Sequence, residues 1–442
     1  MGATERLFTD APLQPPAATN CSRDAEFVPL GSIPDNYHNV WQAIGARSSY
    51  LVWSHVWSGN DIRVQSFHWS AESGITAIDV LDDEVGHAPG GAAPVDVDLY
   101  ITQVSADGSA VLGSRSEDDV FVGGFRWTLA GRQQRLDFDP SASSRDGSVV
   151  VGFRAAELVR WTEATGTQPL GGVTTPVAAG MLRVSAGGEV IAGVDARGHL
   201  FHWTEATGST DLGELSPGRT YTRLQFIDDR GDVLAGLADD HTIGRAHLFR
   251  WTPVGGLQDL EELTGATGGS LHVSADTRVA VADVRMEDSG LTHVLRWTAL
   301  DGGGTGLQDL TPGPESANVS FVSPDADVVI GSVTQPIALG FRWSAATGVE
   351  SLLLSAIPSA SVGARGNLVI GDPRTGPPLL TFGDPAARGP LFDLIPPGFV
   401  PAGWSEPRLE GISDDGGLLV GSALNPEGQR ESWLLRARGC EP

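Results

Sequence analysis

Carboxylates gathered in short polar segments are the residues of this chain best suited to chemistry. Glu117-Asp118-Asp119, Asp239-Asp240-His241 and Glu287-Asp288 interrupt otherwise apolar stretches, and the segment from Trp53 to Arg63 adds Trp57 and Asp61. Acidic oxygens at that density could supply the six to eight ligands that calcium takes. Two carboxylates held about 5 to 10 Å apart would also suffice for cleaving a glycosidic bond. The plainer alternative is that these are solvated turns of an acidic protein. Calcium is the one ion the pattern suggests, and no resident cofactor is expected.

Other chemistries are excluded by residue type. Among the 10 histidines, His199 with His202 and His241 with His247 are close in sequence, but strand alternation would put His199 and His202 on opposite faces, away from a shared metal. Gly-x-Ser-x-Gly does not occur, which removes the nucleophile elbow of α/β-hydrolases. All 29 basic residues are arginine, so neither a Schiff-base lysine nor a P-loop lysine exists. A net charge of −26 repels polyanions and argues against nucleic acid as a partner. Basic proteins, cations and neutral glycans remain open. No run of 18 apolar residues predicts a membrane span. The first 25 residues are polar and lack the apolar core of a signal peptide, so the expectation is either a cytoplasmic protein or one shown without its leader.

The elements that must position these segments are set by an internal repeat. A hairpin of the form Val-Ser-Ala-Asp-Gly-Ser-x-Val-x-Gly precedes an aromatic strand of the form Phe-Arg-Trp-Thr, and the pair recurs nine times. The aromatic strands carry Trp69, Trp127, Trp161, Trp203, Trp251, Trp297 and Trp343, with decayed copies at Leu380-Thr381-Phe382 and Ser432-Trp433-Leu434. A period of roughly 40 to 50 residues with several short strands is the mark of a propeller or solenoid. Asp-Gly and Gly-Gly pairs between apolar runs accept the positive φ of tight hairpin turns. Each period then reads as four antiparallel strands, one propeller blade. Phe and Trp, two apart, share a face, which makes the tryptophans wedges between blades. The intervening arginines, Arg126, Arg160, Arg250, Arg296 and Arg342, must find a carbonyl, a carboxylate or a ring face.

The expected architecture is therefore all-β: a closed β-propeller of about eight or nine four-stranded blades, spanning 26–438 behind a polar tail at 1–25. Its last unit stops after a third strand, while Phe27-Val28-Pro29-Leu30-Gly31 resembles an orphan fourth strand. An N-terminal strand completing the C-terminal blade would remove a free edge. Cys21 and Cys440 would then lie within bridging distance as a disulfide; the alternative is two unrelated free thiols in the tails. The Asp-Gly turns lack the aromatic residue that follows the glycine in the Asp-box of sialidases, and Arg230-Gly231-Asp232, an adhesion tripeptide by spelling, falls in a hairpin turn.

The repeats resemble those of the HAF family of bacterial extracellular repeat proteins. Ala246-His247-Leu248-Phe249-Arg250-Trp251 is nearest that pattern, supported by Leu257-Gln258-Asp259-Leu260 and Leu307-Gln308-Asp309-Leu310. The resemblance implies a secreted or surface-located propeller and carries no catalytic residues to transfer. Because the polar features mostly repeat, whereas an active site occurs once, the expected function is non-enzymatic extracellular binding or scaffolding by a monomer. The alternative is a glycan-active hydrolase or lyase with carboxylates at the channel mouth. Binding is expected on the rim formed by the connections between second and third strands, which hold Trp57, Asp61, Glu117, Asp118, Asp119, Asp239, Asp240, His241, Glu287 and Asp288.

Overall fold

A computed structural model of the chain describes residues 24–32, 37–44, 50–57, 64–78, 97–117, 120–173, 182–215, 221–240, 245–264, 266–286, 288–298, 306–323, 325–333, 339–355, 368–370, 380–382, 401–412 and 418–438. Every regular element among them is a β-strand, and the strands form eight four-stranded antiparallel sheets and one two-stranded sheet. In seven of the larger sheets consecutive strands are neighbours. These are propeller blades, numbered here in chain order: blade 1 (37–77), blade 2 (97–136), blade 3 (139–169), blade 4 (183–213), blade 5 (221–264), blade 6 (266–309) and blade 7 (317–355). Blade 8 combines strands from 405–438 with the N-terminal strand Asp24–Ser32, which pairs antiparallel with Arg430–Arg438 as its outer, fourth strand. The decayed copy between blades 7 and 8 is the two-stranded sheet, Leu368–Ile370 with Leu380–Phe382.

The chain forms two compact units. One comprises Ile33–Gly236 and Arg250–Gln258, the other Met1–Ser32, Leu237–Phe249 and Asp259–Pro442. Blades 1 to 4 and the first strand of blade 5, Tyr221–Ile227, belong to the former; blades 6 to 8 belong to the latter.

Inside a blade the glycine of Val-x-Gly answers a bulge on the neighbouring strand. In blade 2 the first strand, Val97–Val104, shifts register between Ile101 and Gln103 against Ala110–Glu117. That brings the Tyr100 carbonyl oxygen and the Phe125 ring against Gly113, where a Cβ would collide with both. Blade 7 repeats the device, with a shift between Val319 and Phe321 and Gly331 under Phe341. The bulge twists the strand, and the ring of the aromatic strand covers the space the missing side chain leaves.

The core clusters among the described residues span two consecutive blades. Trp127 and Phe125 of blade 2 pack with Val52 and Ile78 of blade 1; Trp161 of blade 3 packs with Leu112 and Phe138, which precede it; Trp343 of blade 7 packs with Val281, Val294 and Leu310 of blade 6. Trp69, Trp251 and Trp297 are buried as well, and Trp203 is half-buried. Trp127, Trp161 and Trp343 are inter-blade wedges. The last copy departs from the pattern: Trp433 is fully buried but pairs with Gly421, the register held by Phe125 opposite Gly113 and by Phe341 opposite Gly331. Leu435, opposite Leu419, stands where the other blades place Trp.

At five of the described junctions the residue between Phe and Trp covers the tryptophan of the next blade. Arg126 of blade 2 donates from Nε to the Gly147 carbonyl in the first turn of blade 3 at 2.7 Å, and its guanidinium lies 5.5 Å from the Trp161 ring. Arg296 of blade 6 does the same to Ala326 of blade 7, at 3.2 Å, and lies 5.2 Å from Trp343. Arg160 lies over Trp203 at 5.9 Å. Two blades use histidine instead: His68 sits 5.4 Å from Trp127 with a hydrogen bond to the Gly108 backbone, and His202 sits 5.0 Å from Trp251 with one to the Gly231 backbone.

Burial holds the His68 and His202 imidazoles below the usual histidine range. The folded state therefore prefers them neutral, and acid favours the unfolded chain, whose histidines take up a proton near pH 6.5. Stability from this source is present above the unfolded chain's titration near pH 6.5 and declines as pH falls below it. The double variant His68→Arg, His202→Arg keeps the clamp used by the other blades and removes that titration. Its melting temperature should fall less steeply than the parent's below that pH, the remaining slope including His272, also lowered by burial. Identical slopes would contradict the assignment.

Candidate functional site

Of the rim residues read from the sequence, Asp288 is exposed in a turn closed by the Gly290 N–H donating to the Met286 carbonyl, between the second and third strands of blade 6. Trp57, Glu117, Asp239 and Asp240 end their second strands at the same end of their blades, but their side chains fall outside the described residues. So do Asp61, Asp118, Asp119, His241 and Glu287 altogether. Cys21 and Cys440 also lie outside. The strands that lead to them are in register, with Asp24 opposite Arg438.

That end of blade 2 carries a feature the sequence reading passed over. The third strand, Val120–Thr128, begins with three exposed apolar residues: Val120 at 62%, Phe121 at 53% and Val122 at 48%. Its fourth-strand partner pairs only from Gly124 onward, opposite Leu136, so among the described residues no strand flanks Val120–Gly123 on that side. The hairpin is tied to the second strand, with Phe121 opposite Ser116 across a bulge at Arg115, and Ser116 is buried while Phe121, facing it, is not. Three consecutive exposed residues on a strand, where alternation should bury one face, mean that the hairpin projects beyond the blade.

Three consecutive blades tie their third and fourth strands with a histidine and an aspartate. His199 Nδ1 lies 3.1 Å from Asp211, His247 Nδ1 2.6 Å from Asp259, and His293 Nδ1 2.7 Å from Asp309. In every case the histidine stands four residues before the tryptophan and the aspartate comes from the Asp-Leu that ends the blade. The signal was present in the sequence as His-x-x-x-Trp followed by Asp-Leu. Its repetition marks it as structural, and each aspartate belongs to its own blade rather than to a shared centre. Among the described residues no group of three or more His, Cys, Asp or Glu is placed to hold a metal ion.

The opposite ends of the blades carry the Ser-x-Asp-Gly turns. Ser144 Oγ donates to Asp146, whose carboxylate accepts the Ser148 N–H at 3.0 Å, while the Val149 N–H reaches back to Ser144 Oγ. The Gly147 N–H closes the turn onto the Ser144 carbonyl, with Gly147 at φ 63°. Serine donation holds the Asp276 and Asp325 carboxyls in the equivalent turns of blades 6 and 7 below the usual carboxylate range. Turns of successive blades interlock: the Asp107 N–H donates to Arg145, Arg145 to Ala186, and Ala186 to Asp229, each onto the backbone carbonyl.

Inside this chain of turns lies a groove of about 250 Å³. Its lining includes the residue before each turn serine, or before Asp228 in blade 5, namely Val104, Ser143, Val184 and Ile227, and the x position after it, namely Ala106, Arg145, Ala186 and Asp229. Arg145 reaches over Ala186 to Asp229 at 2.5 Å. The x of the motif differs among these blades, as Ala106, Arg145, Ala186 and Asp229.

No family model matches the chain, and no curated protein matches it. Solved structures with similar folds include a prolyl endopeptidase, at TM-score 0.46 and 14% identity over 78% of this chain. This chain spans 54% of that enzyme's length. An oligogalacturonate lyase in complex with manganese aligns at TM-score 0.41 and 11% identity, covering 78% of this chain and 97% of the lyase. The putative TolB from Agrobacterium tumefaciens aligns at TM-score 0.33 and 14% identity, covering 50% and 83%. Likenesses this distant transfer no activity. The class rests on the eight sheets themselves, which are β-propeller blades. No helix among the described residues is long and apolar enough to cross a membrane.

Proposed function

We propose that this chain is a non-enzymatic binding or scaffolding propeller of the HAF-repeat kind, acting outside the cell as a monomer whose blades close into one ring. The observation that supports it is the projecting hairpin of blade 2, where Val120, Phe121 and Val122 are exposed in sequence beside Glu117, Asp118 and Asp119. An exposed apolar strand end is a liability unless a partner covers it. Acidic neighbours on a chain of net charge −26 favour a basic protein surface or a cation such as calcium over an anion.

Replacing Glu117, Asp118, Asp119, Asp239, Asp240 and Asp288 together by their amides should weaken binding of a polyarginine peptide or of calcium at least tenfold by calorimetry. The melting temperature should stay the same or rise, since like-charge repulsion is relieved. Unchanged binding would contradict the placement.

The same reading pairs Cys21 with Cys440. In sequence they lie three residues before Asp24 and two after Arg438, the facing ends of two strands in antiparallel register. A thiol titration of oxidised, folded protein should return no reactive thiol; two would contradict the bridge.

A further inference from the structure

We infer that the groove inside the first turns of blades 2 to 5 is a binding site for an organic cation with an aliphatic stem, a guanidinium or primary ammonium. The site is separate from the rim of the proposed function and lies at the other end of the blades. Its lining is mixed, and Val104, Val184 and Ile227 supply aliphatic contacts for a short alkyl chain. A volume of about 250 Å³ is below the range typical of drug-sized ligands and fits one side chain or a small amine.

The polar lining has an excess of acceptors. Gln103 Oε1 and Ser143 Oγ are buried at the groove and meet no hydrogen-bond partner. Asp228 accepts the Val233 N–H with one carboxylate oxygen, and Asp229 engages Arg145 through one oxygen. Against these acceptors Arg145 is the one charged donor in the lining. A ligand that brings N–H donors and a positive charge would complete the set; an anion would face two carboxylates. Arg145 itself shows the recognition in cis: its guanidinium sits on Asp229, 84 residues away in sequence, across the small Ala186. Both side chains are more than half exposed, so the pair contributes little to stability and can be exchanged for an incoming cation.

The backbone bonds between turns do not involve the side chains of Arg145 or Asp229, so variants there should keep the fold, as unchanged melting temperatures would verify. Titration calorimetry with butylguanidinium and butylammonium, and with an uncharged-terminus peptide carrying a single arginine, reads the site directly. We expect binding near the millimolar level, weakened at least tenfold by Asp229→Asn and abolished by Ala186→Leu, which fills the gap. Arg145→Ala should strengthen binding severalfold, because the internal competitor is gone. Binding of the free amines alone identifies a small-molecule source, and binding of the peptide alone a protein side chain; either supports the site. No binding by any probe, tighter binding of butyrate than of the cations, or weaker binding after Arg145→Ala would overturn it.

Discussion

The structure depends on how one blade is held to the next. At the junctions before blades 2, 3, 5 and 7 the tryptophan on the third strand of a blade is covered by an arginine or histidine of the blade before it, anchored to the turn beneath. Burying about 150 to 250 Å² of indole at about 25 cal/mol/Å² yields roughly 4 to 6 kcal/mol per wedge. A cation over a partly buried ring adds about 0.5 to 2 kcal/mol. The wedge supplies most of the energy, and the clamp decides orientation, because a hydrogen bond from Arg126 to Gly147 fixes where the next turn must lie. Neutral histidine serves at His68 and His202 because the anchor is a carbonyl, which asks for an N–H donor and not for a charge.

Function is left to positions that these contacts do not consume. Arginines go to rings and carbonyls, turn aspartates to backbone N–H groups, and the His–Asp pairs to strand ties. What stays variable is the x of Ser-x-Asp-Gly at one end of the blades and the connections between second and third strands at the other. The groove with Arg145 and Asp229 occupies the first, and the projecting hairpin with Phe121 the second. A repeat protein thus acquires two different surfaces without altering the residues that make a blade.

The blade was legible in the sequence because its demands are local: Gly113 under a ring, Gly147 in a tight turn, Trp127 two residues after Phe125. The N-terminal fourth strand was legible too, since Phe27 to Gly31 matched a missing element. The register of Trp433 was not, because a decayed copy reads as the same aromatic strand whether its tryptophan faces Gly421 or Leu419. The groove escaped notice for a different reason: its lining is scattered at intervals of about one blade, and Arg145 and Asp229 look like ordinary turn residues until the turns are set side by side. The exposure of Phe121 was hidden by its resemblance to any buried strand residue.

A double-mutant cycle between Arg126 and Trp161 tests the junction most directly. Chemical unfolding of Arg126→Met, Trp161→Leu and the double variant isolates the pair from the loss of bulk. A coupling energy of about 0.5 to 2 kcal/mol is the result this account requires. Additive losses, with coupling near zero, would mean that the arginine merely lies beside the ring and that blades are joined by apolar packing alone.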